Sequence, residues 1–305
     1  MPSQLPFLTV DAFATKPFSG NPAAVVVWEK DDPRATNEEL CLTIAQEFNL
    51  SETAFSVPQE GGTEAEPVYG LRWWTPGEEV PLCGHATLAT AHALFTTRHP
   101  SATKITFNTR FSGALIATRN ASDGSLSLDF PAADILVLEE GHRRKPKIVE
   151  AVKKATGLGD EKIKAVAYMD SFSGAVIELD ESVELEKLDV KASDIGGAGK
   201  LVILTQPAPA SSGYTIYSRV FAPLLGVSED PVTGAAHTAL APFWLRTASS
   251  SRLASAASVV ASRTLKAKQV SKRGGEMEVV LDREGKRVEL RGRARTVMRG
   301  EIELE

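Results

Sequence analysis

The sequence predicts an α+β protein of two pseudo-equivalent domains, each a set of short strands curving around one central helix. Three observations lead there. The stretches PLCGHATLATAHALF (81–95) and EDPVTGAAHTALAPFWL (229–245) follow one plan: Pro and a polar or acidic group, then Gly beside Thr, Ala or His, then an Ala/Leu-rich run with almost no charge. Such a run is apolar on every side, which suits a helix buried in the middle of a curved sheet. Short segments of strand character surround both runs, and 305 residues with 43% hydrophobic content suffice for a core in each of two domains.

Taken in order, FLTVDAF and NPAAVVVW read as strands joined by a turn through Phe18, Ser19, Gly20 and Asn21. NEELCLTIAQEFN is an amphipathic helix whose stripe is Leu40, Cys41, Ile44, Ala45 and Phe48. ETAFSV and YGLRWWT return to strand before the first buried helix. KITFNT, GALIAT and SLSLDF are strands, and Pro131 with the charged stretch EEGHRRKPK marks a boundary. The second half opens on the helix KIVEAVKKAT and continues with the strands AVAYMD, GAVIEL, LVILTQ and YTIYSRVF, then the second buried helix. The tail segments VVASRTLKAKQVS, EMEVVLD, RVELRGRART and EIELE alternate polar and apolar residues as strands do.

Composition excludes several function classes. A net charge of -5, with no basic stripe interleaved with aromatics, argues against nucleic acid as a partner. Cys41 and Cys83 are the only cysteines, which excludes a disulfide scaffold and agrees with a reducing, cytoplasmic compartment. No apolar run reaches membrane-spanning length, and MPSQLPFLTVDAF lacks the charged and apolar regions of a signal peptide. No His/Cys/Asp cluster has metal-ligand spacing, so no metal is expected. GVSEDPVTG lacks the glycine spacing of a dinucleotide fingerprint. What the two blocks do offer is anion binding: a Gly-rich helix start presents unpaired N–H groups and the positive end of the dipole to a carboxylate or phosphate.

In order and spacing, SGNPAAVV, SETAF, PGEEVPLCGHATLATAHAL, SRVFAPLLGVSEDPVTGAAHTAL and SKRGGEMEV resemble the phenazine-biosynthesis isomerase-like family, a relative of diaminopimelate epimerase. The resemblance spans nearly the whole chain. It implies two domains, each a barrel-like, mostly antiparallel sheet around a central helix, with boundaries at 1–127 plus 293–305 and at 128–292. The last strands, RTVMRGEIELE, would cross back to the first domain. It also implies a site between the domains, cofactor-independent proton transfer on a small carboxylate-bearing substrate, and a homodimer.

Glu52 is the candidate proton carrier. It sits where a helix gives way to a strand with apolar Ala54, Phe55 and Val57, and neighbours of that kind would raise its pKa toward neutrality. Taken alone it reads as a solvated turn residue, as most Glu do; the resemblance reverses this and places the family's catalytic glutamate here. His85 opens the first buried helix, where the dipole favours neutral imidazole as a hydrogen-bond donor or relay, although a capping or core histidine would look the same. Asp230 could be an N-cap, and the resemblance makes it an active-site group. Asn21 is either a turn former or a residue near the substrate. Backbone N–H groups of Gly84, Gly234 and Ala235, with Thr233, would hold the substrate carboxylate. The family often has Ser where this chain has Ala235. A hydrogen bond to a charged group is worth about 1.5–3 kcal/mol, so the phenazine precursor is not assigned as substrate.

His92, His99 and His142 lack this placement, and His237, a turn into the second helix, is a secondary candidate. Cys83 beside a helix start suggests a thiolate, as in the related epimerases that pair two cysteines, but the facing block EDPVTGAAHT contains none. Packing as a small apolar group is then its expected role. Two alternatives stay open: a catalytically weak anion-binding protein and a Cys83-dependent thiol enzyme.

Overall fold

The computed structural model describes residues 4–304. In chain order the elements are β1 (Gln4–Ala12), β2 (Asn21–Val27), α1 (Glu38–Phe48), β3 (Glu52–Pro58), β4 (Val68–Trp74), β5 (Glu79–Val80), α2 (Gly84–Thr97), β6 (Lys104–Thr109), β7 (Ala114–Arg119) and β8 (Leu126–Pro131). They continue with β9 (Leu136–Val137), α3 (Lys145–Thr156), β10 (Ile163–Met169), β11 (Gly174–Leu179), α4 (Ala192–Ile195), β12 (Val202–Pro207), β13 (Ile216–Ala222), β14 (Val227–Asp230) and α5 (Gly234–Arg246). The last are α6 (Ala256–Ser262), β15 (Thr264–Gln269), β16 (Gly275–Leu281), β17 (Arg287–Gly292) and β18 (Ala294–Glu303). The chain forms two compact units. One runs to Asp129 and takes in the residues from Arg291 onward, and the other is Phe130–Leu290.

The two units repeat one pairing scheme. In the first, β1 and β2 are antiparallel, β2 and β3 parallel, β3 and β4 antiparallel, β4 and β6 parallel, β6 and β7 antiparallel. In the second, the same sequence of senses runs through β10, β11, β12, β13, β15 and β16. A parallel pair needs a crossover, and the central helices supply it: α2 connects β4 to β6, and α5 connects β13 to β15. The first unit is completed by β18, which pairs antiparallel with β1 from Ala12↔Ala294 to Gln4↔Glu303.

Burial explains the helix compositions. On α2, ten residues from His85 to Phe95 are buried, leaving no polar stripe, and the helix lies against β1, β2, β3 and β18. α5 is buried from Ala236 to Leu245. α1 buries only Cys41, Ile44 and Ala45, against Leu5, Val26, Trp28, Phe55 and Trp74, so the sheet of the first unit carries an amphipathic helix on one face and an apolar one on the other. Strands covered on both faces lose polar–apolar alternation, and β11 and β12 are buried at every position.

The tail differs from expectation in one place. VVAS does not begin a strand: Ala256–Ser262 is the short helix α6, bounded by Ser255 and Arg263 in left-handed conformation at φ 57° and 54°. Two adjacent valines raise strand character, but Ala-rich flanks and the left-handed boundaries close a two-turn helix instead. The short strands β5, β9 and β14 and the four-residue α4 add to the elements expected from the sequence, each being too short for any period to register.

Candidate active site

Strand alternation decides where the polar residues of the first unit point. Phe55 on β3 and Val26 on β2 pack in the cluster on the α1 face. Counting by twos along each strand, Glu52 and Asn21 face the opposite side, the one covered by α2. Parallel pairing sets Ala23 beside Glu52, which brings Asn21 and Glu52 close on that face. The turn before β2 depends on Gly20 at φ 74°, where a Cβ would lie 2.3 Å from the Ala12 carbonyl oxygen. Only glycine fits there.

His85, the second residue of α2, completes the cluster. Its Nε2 lies 3.3 Å from Glu52 Oε2 and 3.5 Å from Ser51 Oγ, and its Nδ1 lies 3.4 Å from both Asn21 Nδ2 and Cys83 Sγ. An amide nitrogen can only donate, so Nδ1 accepts from Asn21 and the ring proton sits on Nε2, facing the carboxylate. The Glu52 side chain is 19% exposed, and its Oε2 is buried with no hydrogen-bond partner among the described residues; the approach of His85 falls short of an aligned bond. Burial pushes the Glu52 carboxyl above the usual range, and a hydrogen bond with the Ser51 side chain offsets part of the rise.

Cys83 is the N-cap of α2 and makes no side-chain capping bond, so the first N–H groups of the helix, including that of Gly84, are left uncapped by it. The thiol is buried, 6% exposed. Iodoacetamide is therefore expected to alkylate Cys83 more slowly at neutral pH than a free model thiol. Labelling faster than the model thiol would revive the thiol-enzyme reading. Glu52, Cys83 and His85 each place a potential ligand atom within 4.8 Å of the others, a proximity that their separation in sequence conceals.

In the second unit the polar residues cluster differently. Asp230 ends β14 and is not the N-cap of α5; Thr233 is, and its hydroxyl donates to Asp230 Oδ2. Gln269, at the end of β15, joins them although nothing in the sequence singles it out: its Oε1 accepts from Thr233 N at 2.9 Å and its Nε2 donates to the Asp230 carbonyl at 2.6 Å. No local signal marks a Gln that lies 36 residues from its partner. Gly234 and Ala235 begin the helix. His237 is fully buried, donates from Nδ1 to the Thr233 carbonyl at 2.7 Å, and burial pulls its pKa down to about 4, so it stays neutral. His92 belongs to the other unit and contacts Thr296 Oγ1 at 3.2 Å.

At matching positions of the two units, the Glu52–His85 pair occurs once. The register that sets Ala23 beside Glu52 sets Ala175 beside Val202 in the second unit. Aligning Gly84 with Gly234 puts Ala235 at the position of His85. At these two positions the first unit has a carboxylate and an imidazole, and the second a valine and an alanine.

A family profile described as "Phenazine biosynthesis-like protein" matches residues 10–300. A phenazine biosynthesis-like domain-containing protein of Bos taurus is 38% identical over 313 residues, covering 98% of this chain and 99% of its own length. An uncharacterized isomerase of Pseudomonas aeruginosa is 38% identical over 302 residues, covering 99% of both chains. Among solved structures, a phenazine biosynthesis protein of Enterococcus faecalis superposes with a TM-score of 0.76 at 32% identity, covering 98% of this chain and 99% of that one.

Proposed function

Because the chain belongs to the phenazine biosynthesis-like family and is an isomerase of that family, we propose that it moves a proton on a small carboxylate-bearing metabolite without a cofactor, Glu52 serving as general acid and base. The observation that carries this reading is the Glu52 carboxyl, largely desolvated, raised in pKa, and with one buried oxygen unbonded beside His85. A carboxylate that has lost its hydration is a stronger base than one in water, and after taking a proton it is a competent acid for returning it. Glu52 removes hydrogen from a carbon near the substrate carboxylate and delivers it to another position. His85, its proton held on Nε2 by Asn21, donates toward the charge that develops on the substrate.

Within the second unit, Asp230 is suited to orient polar groups, and Thr233 with the backbone N–H groups of Gly234 and Ala235 to bind a carboxylate. Ala235 brings no hydroxyl, so the phenazine precursor is not proposed as the substrate. Val202 in place of a second carboxylate at the position matching Glu52 favours a single base that both takes and returns the proton over a symmetric pair of bases. The working assembly in this reading is a homodimer.

Incubating candidate cyclic and amino carboxylic acids in D₂O with the enzyme should produce deuterium uptake beside the carboxylate or along a conjugated diene, followed by NMR. With a responsive substrate in hand, kcat/KM should rise with pH along a limb centred above 4.5, the ordinary glutamate value, since only the ionised carboxyl is a base and burial delays ionisation. A limb centred at or below that value would remove Glu52 from the role. Binding without uptake across the panel would favour an anion-binding protein.

A further inference from the structure

The second unit holds a cavity of about 460 Å³ that shares no residue with the site described above. Its lining includes Arg143, Arg144, Lys147 and Lys200, with no acidic residue among the lining groups, in a chain whose net charge is -5. Arg144 lies over the Tyr168 ring, 4.2 Å from its centroid, and is 3.5 Å from Asp170. Arg143, Lys147 and Lys200 make no ion pair among the described residues. Two parts of the chain supply these cations: Arg143 and Lys147 flank the start of α3, and Lys200 follows the turn Gly196–Gly199.

That turn forms one wall and is built to stay compact. A Cβ on Gly196 would meet Pro223 Cγ at 3.1 Å, and Gly199, at φ 154°, would bring a Cβ within 2.8 Å of the Ser173 carbonyl oxygen. Tyr168 and the exposed Leu224 add apolar surface beside the charges. Like charges gathered around one concavity repel one another, and field lines focus inside it, so an anion entering would relieve the repulsion as well as pair with the side chains.

We propose that this cavity is a binding site for a small phosphorylated organic metabolite, its phosphate charge held by Arg143, Lys147 and Lys200 and its carbon portion against Tyr168 and Leu224. Phosphate chemistry fits better than a single carboxylate, because three unpaired cations match more than one negative charge. The site is independent of the proton-transfer reading and does not require it.

The test uses the whole protein and inorganic pyrophosphate as the probe, followed by calorimetry and by NMR shifts. Saturable binding is expected, and Arg143→Glu, Lys147→Glu and Lys200→Glu should each weaken it by about tenfold or more. Lys187→Glu serves as the control, since Lys187 pairs with Glu184 elsewhere in the unit and should leave affinity unchanged. All four side chains are exposed, and circular dichroism should show each variant folded. The proposal is overturned by no saturation up to about 10 mM pyrophosphate, by binding that survives the three substitutions combined, or by an equal loss in Lys187→Glu, which would mean general attraction between charges.

Discussion

Glu52→Gln is expected to leave substrate binding within a small factor of wild type while turnover falls by about 10⁴-fold or more, the upper end for an acid–base group that is the only proton carrier. Glutamine keeps the shape of the side chain and a hydrogen-bonding oxygen but has no basic carboxylate. The loss should therefore fall on kcat, with KM little changed. Deuterium uptake into substrate should disappear with it. Uptake at the wild-type rate in Glu52→Gln would transfer suspicion to His85 or Asp230.

The same variant has a stability signature of opposite sign. The raised pKa means that the folded protein holds the Glu52 proton at pH values where the unfolded chain has released it. Stability from this residue is complete below the unfolded value of 4.5 and is lost as pH rises through the folded value. A neutral amide does not carry that cost, so Glu52→Gln should be the more stable protein above neutral pH, by urea denaturation. A variant that gains stability while losing turnover identifies a residue kept for chemistry and not for folding.

Trp244→Ala should weaken the fold more than any change at the candidate active site, costing about 3–5 kcal/mol in urea denaturation. Trp244 is fully buried in α5, packs edge-on to Phe243 at 5.5 Å, and donates from Nε1 to Thr205 Oγ1 at 3.1 Å. Thr205 in turn donates to the Tyr217 carbonyl at 2.8 Å, so the indole ties the central helix to β12 and, through Thr205, to β13. Alanine leaves a cavity in a close-packed interior and removes the donor to a buried hydroxyl. Trp244→Phe keeps most of the volume and should cost distinctly less; an equal cost for both would show that the hydrogen bond, and not packing, dominates.

What can be read from the sequence is local. The two central helices announce themselves by Ala/Leu runs without charge, because a helix buried all round needs no polar stripe, and α2 and α5 are buried in that way. The stripe of α1 is legible for the converse reason: Cys41, Ile44 and Ala45 face a core, Leu40, Leu42 and Phe48 pack at its edge, and Thr43, Gln46 and Glu47 are exposed. Val259 and Val260 mislead, since two β-branched residues outweigh a helix of two turns in any short window. Asp230 looks like a cap for α5 because an acidic residue precedes the helix, but Pro231 and Val232 intervene and Thr233 takes the position.

Glu52, His85 and Asn21 are each visible as polar residues at element starts, and family likeness names them, yet no periodicity in the chain brings them together. That is decided by the parallel register of β2 with β3, which sets Ala23 beside Glu52, and by α2 lying on the face to which Asn21 and Glu52 both point. Nor does the sequence show that Gln269 closes the Asp230–Thr233 cluster. Helix character and burial follow from neighbours a few residues away, which composition records. Desolvation of a carboxylate and the contact of an imidazole with it depend on atoms tens of residues apart, and those distances exist only once the sheet has formed.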